Sequence, residues 1–242
     1  MPYLTQDFAA DYRAITYGLR PDYRGEPYCF VRFADGEAAI AFGQPHHAQR
    51  DGWDVGDSVP LWIRRRLLDS LRCCLAGWHV GITASEHHAT AHRQLLRECG
   101  VGRERVTYAE LFIFANYRRF SELSLQHCTT VGVRGADLLV PGTPTDPAWR
   151  RVDDFAAQLV EFARGPIVVA AGPMANILIH SYWLMTESAR QCRRVIVDVG
   201  SAIDPQLKGR RTRRYQIPDA DKQEWIPRWT PSSINVPPAG TR

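Results

Sequence analysis

Two acidic side chains near the start of the chain have the type and spacing of a metal-binding pair. Asp35 and Glu37 flank Gly36 in the segment 32–37, which reads RFADGE. Two carboxylates one residue apart can reach a single hard cation such as Mn²⁺ or Mg²⁺, and the glycine leaves space for phosphate oxygens. The triplet therefore predicts a metal and phosphate site, although a solvated turn carries the same residues about as often.

A second candidate site is the segment 170–176, which reads AAGPMAN and joins a predicted strand to a predicted helix. Free N–H groups at the beginning of a helix bind phosphate, so Gly172, Pro173 and Asn176 are candidate nucleotide-binding residues. The segment has no Gly-x-Gly-x-x-Gly fingerprint, and the chain has no Gly-Lys-Ser/Thr phosphate loop. A tight turn without a ligand explains the same residues equally well.

A third candidate site is the segment 195–201, VIVDVGS, in which a predicted strand ends in Asp198, Gly200 and Ser201. Ligands bind at the carboxyl ends of the strands in parallel α/β sheets, which favours a binding role for these residues. The alternative is that a buried Asp198 accepts hydrogen bonds from nearby backbone N–H groups.

Basic residues are concentrated late in the chain. The net charge is +4 and the pI is about 8.8, which suits anionic ligands without requiring nucleic acid. Residues 206–216 contain five basic residues and no acid: Lys208, Arg210, Arg211, Arg213 and Arg214. The stretch 208–214 is therefore a candidate contact for phosphates, including those of a nucleic acid.

Alternating strands and helices are expected to position these residues. Such alternation predicts one α/β domain over residues 1–217, built on a doubly wound, mostly parallel sheet, with an extended or partly disordered tail over 218–242. The predicted strands are 28–33, 78–83, 105–108, 129–133, 136–140, 167–170 and 195–199. The predicted helices are 61–76, 85–99, 146–164 and 174–191, with a further helix after residue 37 and a helical or irregular stretch over 111–120.

The composition is that of an ordinary globular protein, with 45% apolar and 23% charged residues. The first twenty residues lack a signal-peptide pattern, and no run reaches the roughly 20 apolar residues that span a bilayer. The six cysteines form no Cys-x-x-Cys pair. We therefore expect a cytoplasmic protein without a membrane span, whose cysteines are reduced and mostly buried.

Taken in order, the motifs resemble those of the GT-D-type glycosyltransferases, a family first described as a domain of unknown function. The family has an early strand reading Arg-Phe/Tyr-Gly-Asp-Gly-Glu, which segment 32–37 matches except for Ala34. It also has a late strand followed by a Gly-Pro turn and a strand ending Asp-x-Gly, matched by residues 172–173 and 198–200. Members often carry His after that glycine, where this chain has Ser201. The resemblance spans residues 28–204.

The resemblance implies a Rossmann-like fold and a metal-dependent transfer of sugar from a nucleotide-sugar, such as a UDP-hexose, to a hydroxyl acceptor. That acceptor is a glycan or a hydroxylated base in DNA. Asp35 and Glu37 then contact the metal and the diphosphate. Negative charge develops on the leaving diphosphate, and arginines stabilise it. The candidates are Arg32, Arg210 and Arg213.

The acceptor hydroxyl must lose a proton, for which Asp204 or Glu110 is the candidate base if the reaction inverts the anomeric centre. Asn116 is a candidate contact to the nucleobase or sugar, and packing at the edge of the core explains it equally well.

Other functions remain open from the sequence. One is a non-catalytic protein that binds nucleic acid or nucleotide, and another is a Rossmann methyltransferase, although the motif 197–200 comes late in the chain for that fold. His88 and His92 have zinc-ligand spacing on a predicted helix, but a solvated helix face is the stronger reading. Likewise, the Asp-x-Asp of residues 219–221 resembles a metal-binding motif but is not favoured as one, because it lies in a polar, proline-flanked tail.

Overall fold

Strands and helices alternate through the part of the chain that the computed structural model describes, residues 2–44, 47–48, 53–54, 59–83, 89–141, 146–187 and 193–217. The strands are β1 Cys29–Phe33, β2 His47–Ala48, β3 Trp53–Asp54, β4 Trp78–Ile82, β5 Val106–Tyr108, β6 Thr129–Gly132, β7 Leu138–Leu139, β8 Ile167–Ala170 and β9 Ile196–Asp198. The α-helices are α1 Phe8–Tyr17, α2 Asp35–Ala41, α3 Leu61–Arg72, α4 Ala89–Glu98, α5 Tyr117–Ser121, α6 Val152–Phe162, α7 Pro173–Glu187 and α8 Asp204–Lys208.

Seven of these strands form one sheet in the order β5-β4-β1-β9-β8-β6-β7. Every neighbouring pair in it is parallel. The chain runs from β1 to β4 and β5 on one side and later returns to fill the other side, so the strand order reverses between β1 and β9. The predicted α/β fold with a parallel sheet is confirmed, and β2 with β3 forms a separate antiparallel pair.

Each face of the sheet has its own hydrophobic core, as a doubly wound sheet requires. Side chains of β1 alternate between the faces, so that Val31 packs in one core and Phe30 in the other. Helices α3, α6 and α7 cover the first face. The second face is covered by α1 and by the segment 111–120, which contributes Phe112 and Phe120. Arg32 follows Val31 and therefore belongs to the second face.

Several boundaries differ from the prediction for local reasons. Helix α3 ends at Arg72, before the predicted residue 76, because Cys73 leaves helical geometry and its carbonyl accepts a hydrogen bond from Arg105. Helix α1 was not predicted; Asp7 caps it by accepting from the Ala10 N–H. No strand or helix was predicted between residue 200 and residue 217, yet this stretch contains α8 and a 3₁₀ turn, Arg214–Gln216.

Four of the six cysteines, at positions 29, 73, 99 and 128, are buried free thiols, and Cys74 is an exposed one. Within the described ranges no helix is both long and apolar enough to cross a bilayer. Cys192, His87, His88, the Asp-x-Asp of residues 219–221 and the tail 218–242 lie outside the described residues, as do parts of the predicted helices 85–99 and 174–191.

Candidate active site

A cavity of about 400 Å³ lies at the carboxyl ends of the parallel strands. Residues at or just after the ends of β1, β4, β5, β6, β8 and β9 line it. Ligands in open α/β sheets bind in this position, outside the point where the strand order reverses. Ten predicted site residues line the cavity: Arg32, Asp35, Gly36, Glu37, Glu110, Gly172, Gly200, Ser201, Asp204 and Arg213.

The acidic pair lies in the first turn of α2, rather than in the turn that the sequence suggested. Ala34 is extended and precedes the helix, and Glu37 Oε2 accepts a hydrogen bond from the Ala34 N–H at 3.1 Å. That bond satisfies one of the free N–H groups at the helix start and fixes the carboxylate. Asp35 is exposed whereas Glu37 is buried, so only Asp35 is well hydrated.

Glu37 has a buried acidic neighbour, Asp198, at the end of β9. Asp198 is 3% exposed and accepts a hydrogen bond from the Gly200 N–H at 2.9 Å. Burial raises the pKa of Asp198 to about 6. Burial, followed by the charge of Asp198, raises the pKa of Glu37 to about 7. Arg32 opposes both shifts, so the two carboxyl groups and one guanidinium form a single charged cluster.

Arg32 is held in place by backbone features of two other strands. Its Nε donates to the Ala109 carbonyl, just after β5, at 2.6 Å. Gly200 has φ +54°, and a Cβ at that position would lie 1.6 Å from Arg32 Nη1. The guanidinium therefore occupies space that any other residue at position 200 would fill.

The glycine turn before α7 has the predicted form. Gly172 has φ +54° and lines the cavity, and Pro173 begins the 15-residue helix α7. Asn176 is fully buried away from the cavity, where its Nδ2 donates to the Arg32 carbonyl at 2.9 Å. The start of α7 is therefore tied to β1 by this contact of Asn176.

The segment 209–217, which we term the C-terminal segment, folds back to complete the cavity. Gln216 is buried; its Oε1 accepts from the N–H groups of Thr212 and Arg213, and its Nε2 donates to the Ser201 carbonyl at 2.6 Å. Asp204 accepts from the Thr212 hydroxyl and pairs with Lys208 Nζ at 2.9 Å. These bonds bring Arg213 to the cavity.

Other predicted residues lie outside the cavity lining. Asn116 is buried and its Nδ2 donates to the Phe8 carbonyl at 3.5 Å, which is the packing role left open from the sequence. Arg210 is exposed on the C-terminal segment, as are Arg211 and Arg214. Pro173 directly follows Gly172, and Asp198 accepts a hydrogen bond from the Gly200 N–H. Both therefore lie next to a glycine that lines the cavity.

Among the polar and aromatic residues that line the cavity, sequence reasoning did not single out Thr83, Phe114 and Tyr215. Thr83 directly follows β4, so the rule that strand ends bear ligand contacts would have identified it. The hydroxyl of Thr83 donates to Glu110 Oε1. Phe114 and Tyr215 carry no comparable signal, because each lies in a segment whose course depends on distant contacts.

Asp35 and Glu37 are the candidate ligands for the divalent cation expected from the sequence. Within the described part of the chain no group of three or more His, Cys, Asp or Glu residues is arranged to hold a metal. Mg²⁺ and similar ions are commonly held by one or two carboxylates together with substrate phosphates, and Asp35 with Glu37 supplies such a pair. The second histidine candidate, His92, is buried on α4, so the solvated helix face that the sequence favoured is wrong for this residue.

These observations define a parallel α/β protein with a charged cavity where its strand order reverses. No protein-family model and no curated protein matches the sequence. Among solved structures, the chain is similar to a Streptococcus sanguinis domain described as a new glycosyltransferase of domain of unknown function 1792. The identity is 13% and the TM-score is 0.49, and the match covers 84% of this chain and 82% of that chain. Another, described as the same domain with a distinct glycosyltransferase fold, has 14% identity and a TM-score of 0.46 over 82% of this chain and 79% of that chain. These are the domains whose motifs the sequence resembles, and the likeness concerns the fold.

In protein freed of divalent ions by a chelator, the raised pKa of Glu37 predicts that the free energy of unfolding depends on pH. Between 4.5 and about 7 the folded protein keeps the proton while the unfolded chain releases it. The free energy of unfolding therefore falls by on the order of a few kcal/mol across that window, and the cost is fully present at higher pH. Glu37→Gln keeps an oxygen for the Ala34 N–H, so it should melt above the wild type near pH ~8, with a smaller difference near pH ~5.

The matched control is Glu122→Gln, at a carboxylate that is 66% exposed. It should show no such pH-dependent difference in melting temperature. A Glu37→Gln difference that stayed constant with pH would contradict the assignment of a buried, destabilising charge.

Gly200→Ala is expected to displace Arg32 from the two carboxyl groups. The new Cβ would clash with the guanidinium. If the cavity binds a nucleoside diphosphate, the affinity for it should therefore fall by roughly tenfold or more, which corresponds to loss of a charge-assisted hydrogen bond. Gly100→Ala is the control, because Gly100 has a similar φ of +66° but nothing within 4 Å of an added Cβ. Calorimetric titration and melting curves separate the two effects: both variants lose stability through backbone strain, and only Gly200→Ala should lose affinity. If Gly200→Ala and Gly100→Ala bound the ligand equally well, Arg32 would have no role in binding it.

Proposed function

We propose that the protein is a glycosyltransferase that moves a sugar from a nucleotide-sugar to a hydroxyl acceptor in this cavity. The observation that carries the proposal is the convergence of Asp35 and Glu37 with Arg32 and Arg213 at the carboxyl ends of β1 and β9. Carboxylates that suit a divalent cation and guanidinium groups that suit phosphate are what a nucleoside diphosphate requires.

The donor diphosphate is proposed to lie between the Gly172 turn and the basic side chains. The start of α7 directs free N–H groups and the positive end of the helix dipole toward this region. Arg213 and Lys208 line the cavity from the C-terminal side. A divalent cation held by Asp35 and Glu37 would supply further positive charge to the leaving diphosphate. Arginine remains charged near neutral pH, so Arg213 stabilises the charge that develops as the sugar bond breaks.

Glu110 is the better of the two candidate bases for the acceptor hydroxyl. Both oxygens of Asp204 already have partners, Lys208 and Thr212, whose contacts hold α8 and the C-terminal segment together. Glu110 lines the cavity after β5, and the Thr83 hydroxyl orients it through Oε1. In this assignment Glu110 removes the acceptor proton, and Asp204 positions Lys208.

The C-terminal segment also supports a choice of acceptor. Arg210, Arg211 and Arg214 are exposed beside the cavity, whereas Arg213 lines it. A hydroxylated base in DNA would bring backbone phosphates to such an exposed cluster, and a neutral glycan would not use it. A non-catalytic protein that binds nucleic acid is the second candidate, because it needs the same exposed arginines and not the buried acids.

Thermal shifts with a panel of nucleotide-sugars, with and without Mn²⁺, test the donor and the metal. A ligand at a hundredfold excess over Kd adds about 2.7 kcal/mol to the free energy of unfolding. We expect a shift that requires Mn²⁺ and is lost in Asp35→Asn. The control Asp69→Asn changes an aspartate on α3 that is 54% exposed and should keep the shift. A shift without Mn²⁺, or one retained in Asp35→Asn, would contradict the metal site.

Arginine variants separate donor chemistry from nucleic-acid binding. Arg213→Ala should lower kcat as well as donor affinity, because the charge that it contacts grows toward the transition state. The paired variant Arg210→Ala/Arg211→Ala should reduce the affinity for DNA and flatten its salt dependence if the acceptor is a DNA base. Arg118→Ala removes an exposed arginine on α5 and should change neither property. Steady-state kinetics with donor and acceptor varied separately measure the effect of each variant on the donor and on the acceptor. Normal kinetics of Arg213→Ala would show that Arg213 has no role in binding or activating the donor.

A further inference from the structure

Another cavity, of about 250 Å³, lies at the opposite end of the sheet from the candidate active site; we term it the arginine pocket. It is formed where the chain enters β1, β8 and β9. Among the described residues its lining contains no acid and four arginines: Arg20, Arg24, Arg193 and Arg194. The candidate active site, by contrast, is lined by both acids and bases. The charged side chains that line the arginine pocket are therefore all positive.

Arg193 is fixed in this pocket by packing. Its guanidinium lies over the indole ring of Trp183, with Cζ 4.5 Å from the ring centroid, and Nη2 pairs with Glu187. The side chain is only 9% exposed, and its Nε is buried without a hydrogen-bond partner in the described part of the chain. Removing a guanidinium from water and leaving one donor unpaired lowers stability. An anion in the pocket would offset that cost.

Two of the other arginines have no acidic side chain in contact. Within the described ranges neither Arg24 nor Arg194 forms an ion pair, whereas Arg20 pairs with Asp22 at 3.0 Å. Arg24 Nη1 donates to two carbonyls of its own turn, within residues 21–23. The ion pairs of the pocket therefore involve two of its four arginines, and two positive charges remain for a ligand.

A phosphate group matches this arrangement better than a carboxylate does. A phosphomonoester carries a charge of about −1.5 to −2 near neutral pH and has three strong acceptor oxygens. That charge balances the two arginines without an ion pair, and the three oxygens allow several guanidinium groups to bind at once. A carboxylate supplies one charge and two oxygens, which leaves part of the arginine cluster without a partner.

The size and shape of the pocket favour a small ligand over a nucleic acid. Its volume of about 250 Å³ is below the roughly 300–1,000 Å³ of most ligand pockets and suits a phosphate with a small attached group. Single-stranded nucleic acids are bound along basic grooves that follow several successive phosphates. Here the arginines surround one recess.

We propose that the arginine pocket binds the phosphate group of a small phosphorylated ligand, at a site separate from the candidate active site. The two sites are separated by the length of the central strands, since the five residues of β1 span roughly 15 Å. No residue lines both cavities. The inference therefore goes beyond the proposed function and does not depend on it.

Calorimetric titration with inorganic phosphate and with glucose 6-phosphate, in metal-free buffer of fixed ionic strength, tests this site. The wild type should bind phosphate saturably. Arg24→Ala and Arg194→Ala should each weaken binding by roughly 10- to 100-fold, which corresponds to loss of a charge-assisted hydrogen bond. Arg194→Lys keeps the charge without the planar fork and should fall between wild type and Arg194→Ala. Tighter binding of glucose 6-phosphate would identify a phosphomonoester as the ligand, and equal binding would identify free phosphate.

Two controls separate the arginine pocket from general charge and from the active site. Arg97→Ala removes an exposed arginine of α4 that forms no ion pair with a described residue and does not line the pocket, so it should leave phosphate binding unchanged. Arg213→Ala changes the other cavity and should also leave it unchanged. Because Arg24 and Arg194 have no ion pair to lose, their variants should melt close to the wild type without ligand, which excludes unfolding as the cause of weaker binding.

Three results would overturn the proposal. The first is that the wild type binds neither phosphate compound saturably. The second is binding that Arg213→Ala abolishes and Arg194→Ala preserves, because such a site is the candidate active site. The third is that an oligonucleotide binds through Arg194 while neither small compound does, which would make the pocket part of a nucleic-acid surface. Failure of the donor and Mn²⁺ experiments would refute the proposed function and leave this site unaffected.

Discussion

The site depends on the burial of two carboxyl groups, Glu37 and Asp198, beside one guanidinium, Arg32. Neighbouring parallel strands, β1 and β9, bring the acids together, and removal from water disfavours two negative charges at such short range. Arg32 reduces the repulsion only while it stays close to both carboxyl groups. The bond to the Ala109 carbonyl and the missing side chain at Gly200 both serve that position.

The stability that this cluster costs is offset by the cores on the two faces of the sheet. Arg32 follows Val31 on β1, a strand that otherwise contributes only apolar side chains to both cores. A rigid strand can hold a charged group in an unfavourable environment because its backbone is hydrogen-bonded on both sides. An active site commonly retains such unfavourable charges, since a bound cation or phosphate contact then relieves them.

The strand ends could be predicted from the sequence because the apolar runs and their glycines are local signals. Asp35, Glu37, Gly172 and Gly200 were found in this way, and all four line the cavity. The amides were different: Asn116 and Asn176 were candidate ligand contacts, and the structure places both outside the cavity lining, where each donates to a distant backbone carbonyl. Whether an amide meets a ligand or the chain itself is decided by tertiary contacts that residue spacing does not encode.

The C-terminal segment shows the same limit and explains why Tyr215 was missed. Its course depends on the side chain of Gln216, which bonds two N–H groups of its own segment and the Ser201 carbonyl. Together with the bonds from Thr212 to Asp204 and between Ser201 and Tyr215, this buried amide holds Arg213 and Tyr215 at the cavity while Arg210 is exposed. Walls held by a few side-chain bonds open more readily than strands do. The strand ends therefore provide a fixed set of charges, and the C-terminal segment provides the part of the cavity that the proposed nucleotide ligand would stabilise by contacting both.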